Sequence, residues 1–410
     1  MMIKERSGQK VRLTGPVEKR MELKFNAFSS MNPLIFGKGV IALAGEKLKE
    51  AGCTKVMAVY DKGIKAAGIV DKVLKPIEDA GIEIVVFDEV QLNPPDWSAE
   101  AAGKVGLEAE IDGIVAIGGG SSLDTAKAAK MLQSNPLPLR QYLGLPPKPH
   151  TPNNIFLLVV PTTAGTGSEA TPGGVITDTV NNEKLPAGGP GWSVNLGLVD
   201  PELTYCLPAS ITAATGVDAF CHAVDSYTST MTNAYSEVFA LEALRLIGKY
   251  LVRVVQDGSD EEARIGMMKA ATFAGVSTNG GGHFTHGIGE PLGNKFHLTH
   301  GVACGSLTPQ ILEYVAQAWP DRIAQVATCF GASVPEGATP EEIGKIMKET
   351  LLDVFKEINF PTLSSFGMEK QELLDVTSDA VAQTLCMCPP MPVTEEAVRK
   401  ILEDTYDVKY

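Results

Sequence analysis

The side chains best suited to metal chemistry lie in one stretch of this chain, since five of its six histidines fall between positions 222 and 300. Asp218 precedes His222 by four residues, and on a helix that spacing places both on one face, about one turn (~6 Å) apart. His286 and His300 each stand in a Thr-His-Gly triplet. One carboxylate and three imidazoles suit a divalent transition metal with a position left open for substrate. Taken singly, each histidine is more readily explained as a helix cap or core residue, but the four together favour a metal site.

The chain must fold back on itself for this set to assemble. His300 lies fourteen residues after His286, so a single straight helix would hold them ~21 Å apart. Between them, the segment Pro291-Leu-Gly293 predicts a break that turns the chain back.

The sequence pattern before residue 200 predicts a layered α/β domain. Near-continuous apolar runs of strand length, typical of buried parallel strands, occur at Lys55–Asp61, Glu83–Asp88, Gly113–Gly118 and Ile155–Val160. Helical spacing separates them, at Gly63–Gly81 and Ser98–Ile111. This alternation predicts a doubly wound sheet with helices on both faces.

From Pro208 onward the strand-like runs stop and helical periodicity takes over. It extends over Asn233–Val255, Glu261–Val276 and Thr339–Ile358. We therefore expect an α/β N-terminal dinucleotide-binding domain followed by an all-α metal-binding domain. The predicted boundaries are an N-terminal extension at 1–30, the α/β domain at 31–206, and the all-helical metal and catalytic domain at 207–410.

Two glycine-rich segments follow predicted strands. Gly118–Lys127 opens a helix directly after the third apolar run, and Pro161–Thr171 follows the fourth. Free amides at a helix N-terminus favour a phosphate, and Ser121 or Ser122 is expected to cap that helix. A glycine-rich turn alone is more often a tight strand–helix connection, but two such loops side by side predict a dinucleotide crevice. Asp61, at the end of its strand, either accepts hydrogen bonds from an adenosine ribose, which favours NAD over NADP, or is simply a turn residue.

The composition of the chain limits the kinds of molecule that this protein is expected to bind. A net charge of −14 and a pI near 5.0 argue against a nucleic-acid partner, and no run approaches the ~18 apolar residues of a membrane span. Seven scattered cysteines without a signal peptide indicate reduced thiols in a cytoplasmic enzyme. We expect a small-molecule substrate and a homodimer or larger homo-oligomer. We expect the basic N-terminal extension to be partly disordered or to contact another subunit, with no catalytic role.

These motifs together resemble the iron-containing (group III) alcohol dehydrogenases from about Asn32 to the C-terminus. The resemblance rests on four segments in order: the Gly-Gly-Gly-Ser-x-x-Asp-x-x-Lys segment at 118–127, the Pro-Thr-Thr-Ala-Gly-Thr-Gly-Ser-Glu segment at 161–169, the Ala-Ala-Thr-Gly-Val-Asp-Ala-x-x-His segment at 213–222, and the His-Gly-x-x-x-Pro-Leu-Gly…His-Gly block at 286–301. The resemblance implies hydride transfer between NAD(P) and a small primary alcohol, diol or hydroxy acid, or the matching aldehyde or ketone. It also implies an active site in the cleft between the two domains.

The resemblance carries specific residues with it. It implies that Fe²⁺, or Zn²⁺ or another divalent metal, is held by Asp218, His222, His286 and His300. It implies cofactor contacts from Asp61, Asn93, Gly119, Gly120, Ser121, Thr162, Thr163, Thr166 and Lys184. We add Asp124, the acid of the first glycine-rich segment, to the expected cofactor contacts.

One departure from the family concerns the reacting centre. Many members carry a second histidine four residues after the equivalent of His286, and here that position is Glu290. Four roles are open for Glu290: it is a proton relay, a contact for a polar substrate group, a metal ligand, or a residue that only faces water at a helix end. His297, three residues before His300, is the second candidate for a proton relay if that segment is helical.

Two other functions fit parts of the pattern. A metal- and NAD-dependent lyase of the dehydroquinate-synthase kind would need several basic residues near the histidines. The basic residues between Asp218 and Gly301 are mostly at positions that look solvent-facing: Arg245, Lys249, Arg253, Arg264, Lys269 and Lys295. A non-enzymatic nucleotide-binding sensor is harder to reconcile with a complete metal shell.

Overall fold

The computed structural model describes residues 32–144 and 148–409, together with strands β1 (Ile3–Lys4) and β2 (Lys10–Val11), which pair antiparallel. Apart from these two strands, the predicted N-terminal extension lies outside the described residues.

Six parallel strands form one sheet in the order β3-β10-β7-β6-β4-β5. They are β3 (Leu34–Phe36), β4 (Lys55–Val59), β5 (Glu83–Phe87), β6 (Gly113–Gly118), β7 (Phe156–Pro161) and β10 (Leu196–Val199). Every residue of β6 is buried, as expected of a central strand covered on both faces. Each predicted apolar run coincides with one of these strands, so the predicted parallel sheet is confirmed.

Helices cover the two faces of the sheet. They are α1 (Ala44–Glu50), α2 (Lys62–Ala66), α3 (Ile69–Asp79), α4 (Asp96–Ala109) and α5 (Gly120–Leu132). Because side chains alternate along a strand, Val56 and Ala58 of β4 join one buried cluster with α1 and α3, whereas Met57 and Val59 join another with α4 and α5.

The helical stretch predicted at Gly63–Gly81 is two helices instead of one. Gly68, between α2 and α3, has a φ of 69°, a left-handed conformation that glycine adopts without strain and that ends a helix.

The second half of the chain is helical. Its helices are α6 (Ala209–Thr228), α7 (Ala234–Gln256), α8 (Glu261–Ser277), α9 (Phe284–Phe296), α10 (His300–Gly305), α11 (Thr308–Val315), α12 (Pro320–Cys329), α13 (Pro340–Glu357), α14 (Lys370–Leu374), α15 (Thr377–Leu385) and α16 (Glu395–Tyr406). Within the described residues no strand follows β10, so the predicted change from α/β to all-α is confirmed.

A hairpin that the sequence patterns did not predict lies between β7 and β10. Its strands β8 (Gly173–Asp178) and β9 (Glu183–Gly188) pair antiparallel, with Thr177 opposite Lys184. The hairpin brings Lys184, a predicted cofactor contact, to the edge of the sheet where the glycine-rich loops lie.

The two halves meet through the loop after β7. Thr272 of α8 donates a hydrogen bond to Glu169 Oε1 at 2.7 Å, and both side chains are buried. Gly167 packs so closely on α8 that a Cβ there would lie 2.5 Å from the carbonyl oxygen of Ala271. This contact holds the helical domain beside the carboxyl edge of the sheet.

Candidate active site

A cavity of about 1120 Å³ is lined by residues of both halves. Gly120 and Thr166 contribute from loops that follow the neighbouring strands β6 and β7, and His222 and His286 contribute from the helices. In open α/β sheets, ligands bind in such crevices beyond the carboxyl ends of the strands.

The predicted metal-binding residues come together at this cavity, and His222, His286 and His300 line it. Asp218, His222, His286 and His300 each offer one ligand atom, and these atoms all lie within 4.8 Å of one another. The first two sit on one face of α6, and the others belong to α9 and to the first turn of α10.

The chain reversal that unites them is not where the sequence predicted it. Helix α9 continues through Pro291 to Phe296, and the chain turns at His297, which has a φ of 52°. Pro291 removes only one backbone donor, a loss that this helix tolerates.

The same turn corrects the role predicted for His297. Its side chain is exposed and absent from the cavity wall, and His300 begins a new helix after Thr299. Since no helix joins His297 to His300, the three-residue spacing does not align them. The structure therefore gives no support to a proton relay through His297.

The donor atoms of the cluster fit a divalent cation. Among the described residues, Asp218 Oδ1, His222 Nδ1 and His286 Nε2 are buried without a hydrogen-bond partner. Buried polar atoms are rarely left so, and three converging ones indicate a ligand that satisfies them together. Burial lowers the pKa of His222, and it lowers that of His300 to about 3, so both imidazoles are neutral and able to bind metal near neutral pH.

Sequence reasoning missed Asp225, which supports this cluster from behind. Its Oδ2 lies 2.9 Å from Nδ1 of His286 and accepts a 3.0 Å hydrogen bond from the backbone N–H of His283. Burial opposes ionisation, but His283 and His286 lower the pKa of Asp225 below its ordinary value. The available signal was its position seven residues after Asp218, two turns along the same face of α6.

The loop after β6 leaves the N-terminus of α5 uncapped. The N-cap residue is Gly119 and no side chain caps the helix, so the predicted cap by Ser121 or Ser122 is wrong. The helix amides ahead of Ser122 are therefore available to an anion, whereas that of Ser122 donates to the carbonyl oxygen of Gly119 at 3.1 Å. A Cβ at Gly120 would lie 2.7 Å from Cγ2 of Thr166, which explains why glycine is needed where the two loops meet.

The other predicted cofactor contacts divide into two groups. Those that line the cavity are Asn93, Gly120, Ser121, Asp124, Thr166 and Lys184. Gly119, Thr162 and Thr163 lie beside it: Thr162 is fully buried with an unpartnered Oγ1, and a Cβ on Gly119 would lie 3.3 Å from Oγ1 of Thr163.

Two of the predicted acids have partners within the protein. Asp61 is the N-cap of α2, and its Oδ1 accepts from the backbone N–H of Ile64 at 3.0 Å. Asp124 accepts from Ser168 Oγ at 2.7 Å and from the backbone N–H of Val175 at 2.9 Å. Asp124 thus ties the loop after β7 to the hairpin, and both its oxygens are already engaged without a cofactor.

Glu290 does not face water. It is buried on the cavity wall, one turn after His286 on α9, and its Oε2 accepts from Nε2 of Gln383 at 2.8 Å. Burial raises the pKa of the Glu290 carboxyl and lowers that of the Lys184 ammonium, and the opposite charges of these two groups partly offset each shift. The cluster is therefore flanked by one buried carboxyl and one buried amine.

Comparison with known proteins agrees with this architecture. The profile of the iron-containing alcohol dehydrogenase family matches residues 32–201, and that of the C-terminal region of the Fe-containing alcohol dehydrogenase family matches residues 212–406. A choline dehydrogenase of Bacillus subtilis (strain 168) is 32% identical over 387 residues, covering 94% of this chain and 96% of the relative. A 1,3-propanediol dehydrogenase of Citrobacter freundii is 30% identical over 396 residues, covering 94% of this chain and 100% of the relative.

Solved structures give the same result. The crystal structure of a 1,3-propanediol oxidoreductase superposes with a TM-score of 0.87 at 29% identity, covering 93% of this chain and 100% of that one. A sulfoacetaldehyde reductase from Bifidobacterium kashiwanohense in complex with NAD⁺ superposes with a TM-score of 0.83 at 25% identity, covering 94% and 100%. Fold and site thus define a metal-dependent oxidoreductase that acts on alcohols with a dinucleotide. The chain belongs to the iron-containing alcohol dehydrogenase family and is an alcohol dehydrogenase.

Proposed function

We propose that this protein transfers a hydride between NAD and a small polar primary alcohol, diol or hydroxy acid, with one divalent metal ion per chain. The observation that supports it most is the convergence of three unpartnered buried donor atoms on a cavity that also meets the glycine-rich loops. We assign Asp218, His222, His286 and His300 as the metal ligands. When bound, the cation would supply Lewis acidity, which favours loss of the hydroxyl proton, and the dinucleotide would supply the hydride acceptor.

The chain's own residues orient the dinucleotide. The uncapped start of α5, at Gly119 and Gly120, would hold the pyrophosphate, and Ser121 and the threonines of the loop after β7 would supply hydroxyl donors. Asn93 adds a contact from the loop after β5. Lys184, buried on the cavity wall with Glu290, would contact the nicotinamide end.

We assign Asp61 to the adenosine ribose. It stands where β4 ends, and its carboxylate would repel a 2′-phosphate, so NAD is preferred to NADP. Its capping of α2 does not compete with this role, because the hydrogen bond from Ile64 uses only Oδ1.

We assign Glu290 to a polar group beside the reacting carbon and not to the metal. Four other residues already offer converging ligand atoms, and a fifth would close the position that an alcohol needs. Gln383 fixes Oε2, whereas Oε1 accepts no hydrogen bond from the described residues and is left for a donor on the substrate. The names of relatives that act on choline and 1,3-propanediol agree with a small polar alcohol.

The lyase alternative finds little support on the cavity wall. Of the described residues that line the cavity, Lys184 is the only lysine or arginine. Arg264, which looked solvent-facing, is buried elsewhere and donates to the carbonyl oxygen of Gly258 and to Thr212. A phosphorylated, acidic substrate would leave its charge largely unpaired here.

Three broader expectations belong to the same proposal. We keep the domain limits at 31–206 and 207–410, which agrees with a first helix of the second half beginning at Ala209. We propose a cytoplasmic location, supported by seven cysteines that are all free thiols. We also propose a homodimer or larger homo-oligomer, to be tested by light scattering. No helix among the described residues has the length and apolar character that crossing a bilayer requires.

The deciding experiment uses purified protein loaded with Fe²⁺ or Zn²⁺. NADH formation is measured with ethanol, 1,2-propanediol, 1,3-propanediol, choline and a hydroxy acid, and metal is counted per chain. We expect about one ion per chain and NADH from at least one polar alcohol, with both lost in His286→Ala. Full metal occupancy and normal turnover in His286→Ala would overturn the ligand assignment. NAD binding without turnover of any alcohol would favour the sensor alternative.

A further inference from the structure

The three imidazoles of the cluster are not equally supported. Among the described residues, His286 alone has a carboxylate outside the cluster within hydrogen-bond reach of its ring, Asp225 Oδ2 at 2.9 Å. His222 Nδ1 has no partner, and the ring of His300 contacts Cys304 Sγ at 3.8 Å. Of the three proposed ligand imidazoles, only His286 is therefore held by a carboxylate at its other ring nitrogen within the described residues, and His222 and His300 are not.

The anchoring hydrogen bond determines which nitrogen of His286 faces the cavity. Oδ2 of Asp225 already accepts the backbone N–H of His283 at 3.0 Å and lies 2.9 Å from Nδ1 of His286, and a carboxylate oxygen accepts hydrogen bonds. Nδ1 of His286 must therefore carry the proton and donate it to Asp225, and Thr285 Oγ1 also lies 3.0 Å from this nitrogen. The lone pair is left on Nε2, which is the buried and unpartnered atom of the ring.

Asp225 is itself held rigidly. It is 1% exposed on α6, and its Oδ2 also accepts the backbone N–H of His283, the N-cap residue of α9. One oxygen thus joins α6, which carries Asp218 and His222, to the start of the helix that carries His286. The ring cannot rotate away without leaving this carboxylate buried and less well paired.

We propose that Asp225 is the positioning residue of the metal centre: it fixes the tautomer and orientation of His286 and thereby controls how tightly the site retains its cation. The proposal rests on the proposed function, in that His286 is taken as a metal ligand. A carboxylate behind a ligand imidazole also makes its free nitrogen a stronger electron donor.

The test compares metal affinity with folding. Asp225→Asn keeps the side chain's size but removes its charge, and Asp225→Ala removes the hydrogen bond as well. Competition with a chelator, using Zn²⁺, should show affinity reduced about 10- to 100-fold, most in Asp225→Ala. With Co²⁺ in the site, the visible absorption spectrum should change, because the geometry of one ligand has been released. Thermal unfolding of the metal-free forms records any loss of stability separately.

Thr228 provides the matched control. It is buried on the same helix, and its Oγ1 lies 2.7 Å from His283 Nε2, so Thr228→Val disturbs the same network without touching the bond to His286. We expect Thr228→Val to lower stability while leaving metal affinity within about twofold and the Co²⁺ spectrum unchanged. Equal loss of affinity in Thr228→Val and Asp225→Asn would show a general packing effect and overturn the proposal.

The possible failures are distinguishable. If the wild-type protein retains no metal, or His286→Ala retains it fully, the proposed function fails. If the wild type binds metal through His286 and both Asp225 variants bind it with unchanged affinity and spectrum, only the positioning role is refuted.

Discussion

Glu290 gives this cavity a chemistry that an imidazole at the same position would not provide. The carboxylate is buried, held through one oxygen by Gln383, and faces the cavity one turn from His286. A desolvated acceptor of this kind favours a substrate that brings a hydrogen-bond donor, because a plain alkanol would leave it unsatisfied. We therefore expect this residue to influence selectivity among alcohols more than metal retention.

Glu290→Gln tests that expectation. Metal content should be unchanged, while kcat/KM for a diol relative to an alkanol of equal length should fall roughly tenfold or more, the value of a hydrogen bond to a charged group. The control is Glu396→Gln, which removes a charge from an exposed helix end. Loss of metal in Glu290→Gln would make this residue a ligand, and unchanged selectivity would exclude it from substrate recognition.

Asp61 offers a second residue-scale prediction. Asparagine caps helices about as well as aspartate, so Asp61→Asn should preserve α2 while removing the charge that repels a 2′-phosphate. The ratio of kcat/KM for NADP to that for NAD should rise, by roughly tenfold for a partly solvated charge. Asp61→Gly should produce a similar rise with slightly lower stability. A wild type that already prefers NADP would contradict this role.

At the scale of elements, the start of α5 must approach the loop after β7 more closely than any side chain allows. In Gly120→Ala the new methyl would lie 2.7 Å from Cγ2 of Thr166, so one of the two loops has to move. We expect KM for NAD to rise about tenfold or more, with kcat less affected, as steady-state kinetics would show. Adding Thr166→Ser, which deletes that carbon, should recover part of the loss. Unaltered NAD kinetics in Gly120→Ala would remove this loop from the cofactor site.

The other end of α5 makes a pH-dependent contribution to stability. Lys130 is buried, donates to the carbonyl oxygen of Ser193 at 2.7 Å and to Asn195 Oδ1 at 2.8 Å, and burial lowers its pKa from 10.5 to about 8. Between these two pKa values the unfolded chain binds more protons than the folded one, so the stability that depends on Lys130 increases with pH.

Lys130→Met removes this dependence. The wild type should gain roughly 2–3 kcal/mol in free energy of unfolding, relative to the variant, from about pH 7 to about pH 10. Denaturant unfolding at both values measures it. Lys104→Met, at an exposed position on α4, should show no such change. A constant difference between wild type and Lys130→Met across this range would mean that the folded pKa is not lowered.

For the whole molecule, the active site exists only where two differently built halves meet. The sheet half presents uncapped amides and hydroxyls, the helical half presents the proposed metal ligands, and the buried Thr272–Glu169 hydrogen bond joins the two halves. Because the proposed metal ligands come from α6, α9 and α10, a cation bound there would link three helices of one half.

Removing that cation should destabilise the protein. A ligand present at about 100 times its dissociation constant contributes about 2.7 kcal/mol, so chelation should lower the wild-type Tm by roughly 3 °C for a chain of this length. Differential scanning calorimetry before and after chelation, and after Zn²⁺ is returned, measures the shift. His286→Ala should show no response to the chelator. An equal shift in that variant would place the stabilising metal elsewhere.

Much of this architecture was determined by local sequence pattern. Continuous apolar runs predicted buried parallel strands, and the four-residue spacing of Asp218 and His222 predicted two side chains on one helix face. Both inferences hold because residue spacing along a regular element sets the direction of a side chain. The glycine-rich segments likewise marked the strand ends, where backbone must approach closely.

Other features were decided only by tertiary packing. The chain reverses at His297 and not at Pro291, which leaves His297 exposed and brings His300 to the cluster. Glu290 is buried because Gln383, far away in sequence, meets it, and Asp225 gains its role from a histidine on another helix. Periodicity specifies which face of a helix a residue occupies. Which other element covers that face depends on contacts between distant segments, and these arise only when the whole chain packs.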